Sequence, residues 1–119
     1  MAVVDGSNGR MVTTQPIGSG VDATEFDAQR GLIYFSTGAD GNLWIFHEDT
    51  PNQYTLIETV KTQNGARTMA VDRKTGRAYL SAAEFGPPSQ GKQGKGPGRG
   101  PMVPGSFSVL IIGESTTPP

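Results

Sequence analysis

The chain repeats itself at an offset of 45 residues: Gly20, Phe26, Asp27, Gly31, Tyr34 and Ser36 return as Gly65, Val71, Asp72, Gly76, Tyr79 and Ser81. A period of that length, carried on short alternating segments with turn residues between them, predicts β-propeller blades of four antiparallel strands. A propeller closes with about four to eight blades around a channel, and this chain holds about two. It cannot close one by itself.

The period places strands near residues 3–5, 10–16, 23–27, 32–37, 42–47, 54–61, 68–72, 78–82 and 107–112. With the innermost strand of a blade named a and the outermost d, their order is c and d, then a to d, then a to c. Residues 1–19 are thus the end of a preceding blade, 20–64 one complete blade, and 65–119 a last blade lacking its outer strand. The expected fold class is all-β, a partial propeller with a long Gly/Pro-rich insertion between strands b and c. That insertion shows in the spacing, because Leu43-Trp-Ile-Phe-His47-Glu48 aligns with Val109-Leu-Ile-Ile-Gly113-Glu114 at an offset of 66 instead of 45. The extra stretch, 86–105, carries few apolar residues and is expected to add little to folding. Asp27-Ala-Gln-Arg-Gly31 and Asp72-Arg-Lys-Thr-Gly76 read as hairpin turns, the Asp bonding backbone two residues on and the Gly taking positive φ.

Gly 17 and Pro 9 suit a turn-rich β-chain, and the apolar runs 32–35, 43–46 and 108–112 exclude wholesale disorder. The net charge of −1 gives no global pull toward nucleic acid or anionic membrane. Lys92, Lys95 and Arg99 sit in the insertion with no acid nearby, leaving seven basic against eleven acidic residues elsewhere. Three basic residues without an interleaved aromatic make a poor nucleic-acid surface. Cysteine is absent, which removes disulfides and thiolate-held metal. No 18-residue apolar stretch predicts a membrane span, and the N-terminus has neither the basic start nor the apolar run of a signal peptide.

Gly20-Val-Asp-Ala23, Phe26-Asp27, Gly65-Ala-Arg-Thr-Met-Ala70, Asp72-Arg-Lys-Thr-Gly76, Ala83-Glu-Phe-Gly-Pro87 and Pro104-Gly-Ser-Phe107 together resemble the YncE-like, YVTN-type β-propeller family. The likeness spans nearly the whole chain and rests most on the Pro-rich insertion leaving after Ala-Glu-Phe-Gly and returning through Pro-Gly-Ser-Phe. It implies a seven-bladed parent of which this chain resembles the C-terminal two blades or so, a bacterial source, and a periplasmic or extracellular location.

Propeller ligands meet the loops at one mouth of the channel, where the d-to-a and b-to-c connections gather. On this topology Asp22, Arg67 and Glu84 fall at that mouth with Asn64 and Phe85 beside them. An arginine between two acids can grip a polar ligand or serve as an ion-pair network holding blade to blade. Asp22 and Arg67 occupy equivalent repeat positions, so opposite charges are expected to face one another. Gly86-Pro-Pro-Ser-Gln-Gly-Lys92-Gln93 has P-loop spacing, but Gln93 replaces the magnesium-binding hydroxyl and two prolines spoil the amide nest. His47 is the sole histidine, and Glu48 beside it points to the opposite face of a strand. Ser36, Ser81, Ser106 and Ser108 lack a nucleophile-elbow context. The expectation is therefore a non-catalytic binding or scaffold segment, without metal or cofactor. It needs further blades, by self-association or from a companion chain, to take an unknown small-molecule or protein ligand. The alternative is part of a propeller enzyme, a lactonase-like hydrolase or a quinoprotein-like oxidoreductase, and that reading rests on fold analogy.

Overall fold

Nine strands form where the sequence alternates, in a computed structural model that describes residues 1–87 and 100–114. They are β1 (Ala2–Val4), β2 (Met11–Thr14), β3 (Val21–Asp27), β4 (Leu32–Thr37), β5 (Asn42–Thr50), β6 (Gln53–Lys61), β7 (Met69–Asp72), β8 (Arg77–Ala82) and β9 (Ser108–Ile112). Among the described residues there is no helix, and the chain is all-β. The strands pair antiparallel with their sequence neighbours into three sheets, β1-β2, β3-β4-β5-β6 and β7-β8-β9. All nine lie where the alternation put them, β5 running three residues further, to Thr50.

The period of two decides which face each residue takes. Ala23, Tyr34, Leu43, Ile45 and Val60 share one face of the four-stranded sheet. Met69, Val71, Ala78, Leu80, Ala82, Leu110 and Ile112 share one face of the three-stranded sheet. The two faces pack together as the core, with Leu43, Ala78 and Leu80 fully buried. Burying a leucine stabilises by roughly 1.5–3 kcal/mol, so this seam carries much of the fold. On the opposite face of the four-stranded sheet, Phe46 is buried and meets Phe35 edge to face at 5.8 Å. The two-stranded sheet is tied on by Gln15 Nε2, which donates to the Tyr54 carbonyl over 2.7 Å.

Three of the turns share one pattern. Asp5-x-x-x-Gly9, Asp72-x-x-x-Gly76 and Thr37-x-x-x-Gly41 each close with the glycine N–H donating to the first residue's carbonyl, over 2.7, 2.7 and 2.9 Å. The first of these lies outside the 45-residue repeat and escaped the sequence reading. Asp27 accepts from the N–H groups of Gln29 and Arg30, and Asp72 from that of Lys74, as turn-forming acids do.

Two arginines then lock equivalent turns of neighbouring sheets together. Arg30 reaches the buried Asp27 carboxylate at 2.9 Å and donates also to the carbonyls of Arg73 and Lys74. Arg73 returns the contact, donating to the Phe26 carbonyl and pairing with Glu25 at 3.3 Å. The Arg30 hydrogen bond holds the Asp27 carboxyl below its ordinary range, against the opposing effect of burial. A carboxyl depressed in the folded state contributes its full stabilisation above the unfolded value, about pH 4, and loses it as pH falls through the folded value. Melting temperature followed from pH 7 down to pH 2 should therefore drop below about pH 4, and Asp27→Asn should flatten that limb. Arg30→Ala leaves a buried carboxylate without its cation and should lower the pH 7 melting temperature on the order of 5–10 °C. An unchanged melting curve for Arg30→Ala would show that the lock is incidental.

Candidate functional site

At one end of the sheets the β4–β5, β6–β7 and β8–β9 connections gather, and the five residues singled out from the sequence lie there. They border two adjoining clefts of about 290 and 590 Å³ that share Gly65, Arg67, Ala83 and Phe85. Asp22 lines the smaller cleft only, Asn64 and Glu84 the larger only. Arg67 and Phe85 thus stand on the divide between the two.

Each side chain is placed by a local feature. Asp22 is the extra residue of a β-bulge, since Val21 pairs Thr37 while Ala23 pairs Ser36. Bulges re-aim side chains and recur beside binding sites. Asn64 turns back on the neighbouring connection, its Nδ2 donating to the Ala39 carbonyl over 3.1 Å. Gly65 takes φ +88 where the chain passes from β6 into β7, a conformation that only glycine adopts without strain. Its N–H donates to the Gly38 carbonyl over 2.8 Å.

The backbone of Arg67 is fixed by a serine that the sequence reading placed in the repeat without a structural role. Ser36, fully buried, accepts from the Ala23 N–H at 3.2 Å and donates to the Arg67 carbonyl, stitching the two larger sheets together beside the bulge. The exposed side chain of Arg67 lies across Gly38, where an added Cβ would come within 2.6 Å of Arg67 Cγ. The three ion pairs among the described residues involve none of Asp22, Arg67 and Glu84. The expected facing of Asp22 and Arg67 as a charge pair is not made, because the bulge re-aims Asp22 and Arg67 runs along Gly38. Both acids and the guanidinium are left to solvent.

The insertion supplies one wall. The stretch 86–105, expected to add little to folding, is joined at its two ends by a short antiparallel stem. Phe85 bridges Met102, Gly86 N–H donates to the Pro101 carbonyl over 2.7 Å, and Val103 N–H donates to the Glu84 carbonyl over 2.8 Å. Ser106 Oγ closes the base by accepting from the Glu84 N–H at 3.0 Å. Met102 and Phe107 join Phe85 around the smaller cleft. Their type gave the only hint: they are the bulky apolar residues at the return of a Gly/Pro-rich stretch. Of the P-loop-like run only Gly86 and Pro87 are described; Pro88 to Gln93, with Lys92, and the basic Lys95 and Arg99 lie outside the described residues.

His47 stands at the other end of the sheets and pairs with Asp49 at 2.7 Å, two residues along the same face. Asp49 is held below its ordinary range by Thr55 first and His47 second. Among the described residues no three His, Cys, Asp or Glu side chains converge as a metal set. The Arg67 end presents an exposed guanidinium, an aromatic ring, two carboxylates and a carboxamide around open clefts. Comparison of the chain with protein-family models, with curated proteins and with solved structures finds no match.

The stem is sensitive at one point. A Cβ on Gly100 would fall 2.2 Å from the Gly86 carbonyl oxygen, a backbone atom that cannot step aside cheaply. Gly100→Ala should open the stem while leaving the sheets folded. Amide hydrogen exchange at Gly86 and Val103 should then speed up on the order of tenfold, with Leu80 and Leu43 amides unchanged.

Proposed function

We propose that the chain is a segment of a β-propeller-type binding scaffold without catalysis of its own. In this reading its sheets are blades, and a small-molecule or protein ligand meets the end bearing Asp22, Asn64, Arg67, Glu84 and Phe85. One observation carries it. Asp27, Tyr34 and Ser36 of the four-stranded sheet are buried, whereas their repeat counterparts Asp72, Tyr79 and Ser81 in the three-stranded sheet are only half-buried. The burial of the first set comes from the sheet stacked on it. The second set has the same residues on the same pattern and awaits the same cover.

The open faces support this directly. Val109 and Ile111 project from the uncovered face of the three-stranded sheet at 52% and 61% exposure, in register with Ser81 and Tyr79. Met11 and Val4 are likewise exposed on the two-stranded sheet at the other side. Apolar faces at opposite sides suit head-to-tail association, which closes into a ring when the rotation allows. The resemblance to YncE-like propellers agrees with this reading from the sequence side.

Sedimentation equilibrium should find the chain associated at high micromolar concentration, and Ile111→Lys should shift it toward monomer with its β-sheet circular dichroism retained. A folded wild-type monomer at that concentration overturns the scaffold reading. In a thermal-shift screen of polar small molecules, stabilisation of the wild type should be lost in Arg67→Ala and kept in Lys92→Ala. Equal response of the two variants would remove the Arg67 end as the binding face.

A further inference from the structure

A third cleft, of about 620 Å³, opens at the other end of the same seam, between the four- and three-stranded sheets. Asp22 and Asp27 mark the two ends on β3, five residues and so about 17 Å apart. The cleft is therefore distinct from the Arg67 end. Its walls are aliphatic, from Leu32, Ile45, Val60 and Ile112, with Ile57 at the edge. Volume and lining fall within the range of small-molecule sites.

Its polar groups are few and differ in availability. Arg30 lines the cleft with three of its five N–H groups taken, by the Asp27 carboxylate and the Arg73 and Lys74 carbonyls, and with its charge offset by Asp27. Tyr34 is 97% buried by its 3% exposure, yet its hydroxyl has no hydrogen-bond partner among the described residues. That hydroxyl is not sealed in protein either, since Thr62 Oγ1 is the one buried side-chain polar atom without a partner among the described residues. It reaches the cleft. Glu58 and Glu114 stand at the mouth, exposed, and neither belongs to an ion pair among the described residues. Burial, Asp27 and Glu114 all push the Tyr34 hydroxyl above its ordinary range, so it stays protonated and can both donate and accept.

We propose that this cleft binds a small organic cation with an apolar ring or chain. The aliphatic walls take its body, Tyr34 Oη takes a polar atom of that body, and Glu58 and Glu114 take its ammonium group. An anion is disfavoured because the only cation in the cleft is already neutralised while two carboxylates are not. A neutral apolar molecule would fill the walls but leave both carboxylates unused.

Three indoles of one shape separate these cases: tryptamine (cation), tryptophol (neutral) and indole-3-propionate (anion), each titrated into the ¹⁵N-labelled full chain. Tryptamine should bind at least about tenfold more tightly than indole-3-propionate and shift the amides of Tyr34, Ile45, Val60 and Ile112. Glu58→Gln and Glu114→Gln, both at exposed positions, should each weaken tryptamine about two- to fivefold and leave tryptophol unchanged. Tyr34→Phe should weaken both, and if that variant does not fold the two glutamine variants decide. Equal affinity for the three indoles, tighter binding of the anion, or shifts away from the cleft would overturn the proposal. So would shifts confined to β9, the mark of an added strand on its free edge. Because the readout is local to this cleft, its failure leaves the Arg67 end untouched.

Discussion

A β-sheet with two apolar faces is unstable alone, and the contact that resolves this for the chain is the seam between its four- and three-stranded sheets. Tyr34, Leu43 and Ile45 from one side meet Met69, Leu80 and Leu110 from the other. Every polar feature of interest is arranged around that contact. Ser36 stitches one end of the seam and the Arg30 and Arg73 lock fastens the other. Both fastenings use side chains that donate to backbone carbonyls across the seam. They fix the sheets in register without placing an unpaired charge in the core, since Arg30 also neutralises the buried Asp27.

The seam also explains why clefts appear at its ends. Where two twisted sheets diverge, the side chains that fill the middle no longer reach across, and clefts open. At one end the diverging walls are finished by three connections and carry Arg67 and Phe85. At the other they are finished by tight turns, and the cleft stays aliphatic down to Tyr34. The same repeat therefore gives a polar, open end and a more enclosed, largely aliphatic one.

The strand pattern was legible because alternation and turn chemistry are local. Each Asp-x-x-x-Gly sits within one turn, and Leu43 to Phe46 announces a strand that is apolar on both faces. The gathering of Asp22, Asn64, Arg67, Glu84 and Phe85 at one end was legible too, since the topology alone sends their connections to one side. What the sequence hid depends on partners distant along the chain. The bulge at Asp22 exists only relative to the register of β4. The grip of Arg30 on the Arg73 and Lys74 carbonyls joins turns 43 and 44 residues apart. The stem of the insertion pairs Phe85 with Met102 across a stretch whose composition suggested nothing but loop.

Those hidden features share a property. Arg30 has Thr75 as its repeat counterpart, Arg73 has Ala28, and Asp22 has Arg67. The positions that repeat faithfully build sheet and turn, and they would serve any copy of the unit. Among the groups that bind one sheet to its neighbour, Arg30 and Arg73 break the repeat while Ser36 keeps it as Ser81, and at the clefts Asp22 and Arg67 break it while Tyr34 keeps it as Tyr79. In a chain whose units must stack in a fixed order, identical units would permit any order. The arginine fastening makes the two units unlike, since Arg30 serves one turn and Arg73 the other, each from a position whose counterpart is not an arginine. The 45-residue repeat therefore accounts for the strands, the turns and the residue type of the Ser36 stitch, and the reciprocal arginine contact is what sets its two copies apart.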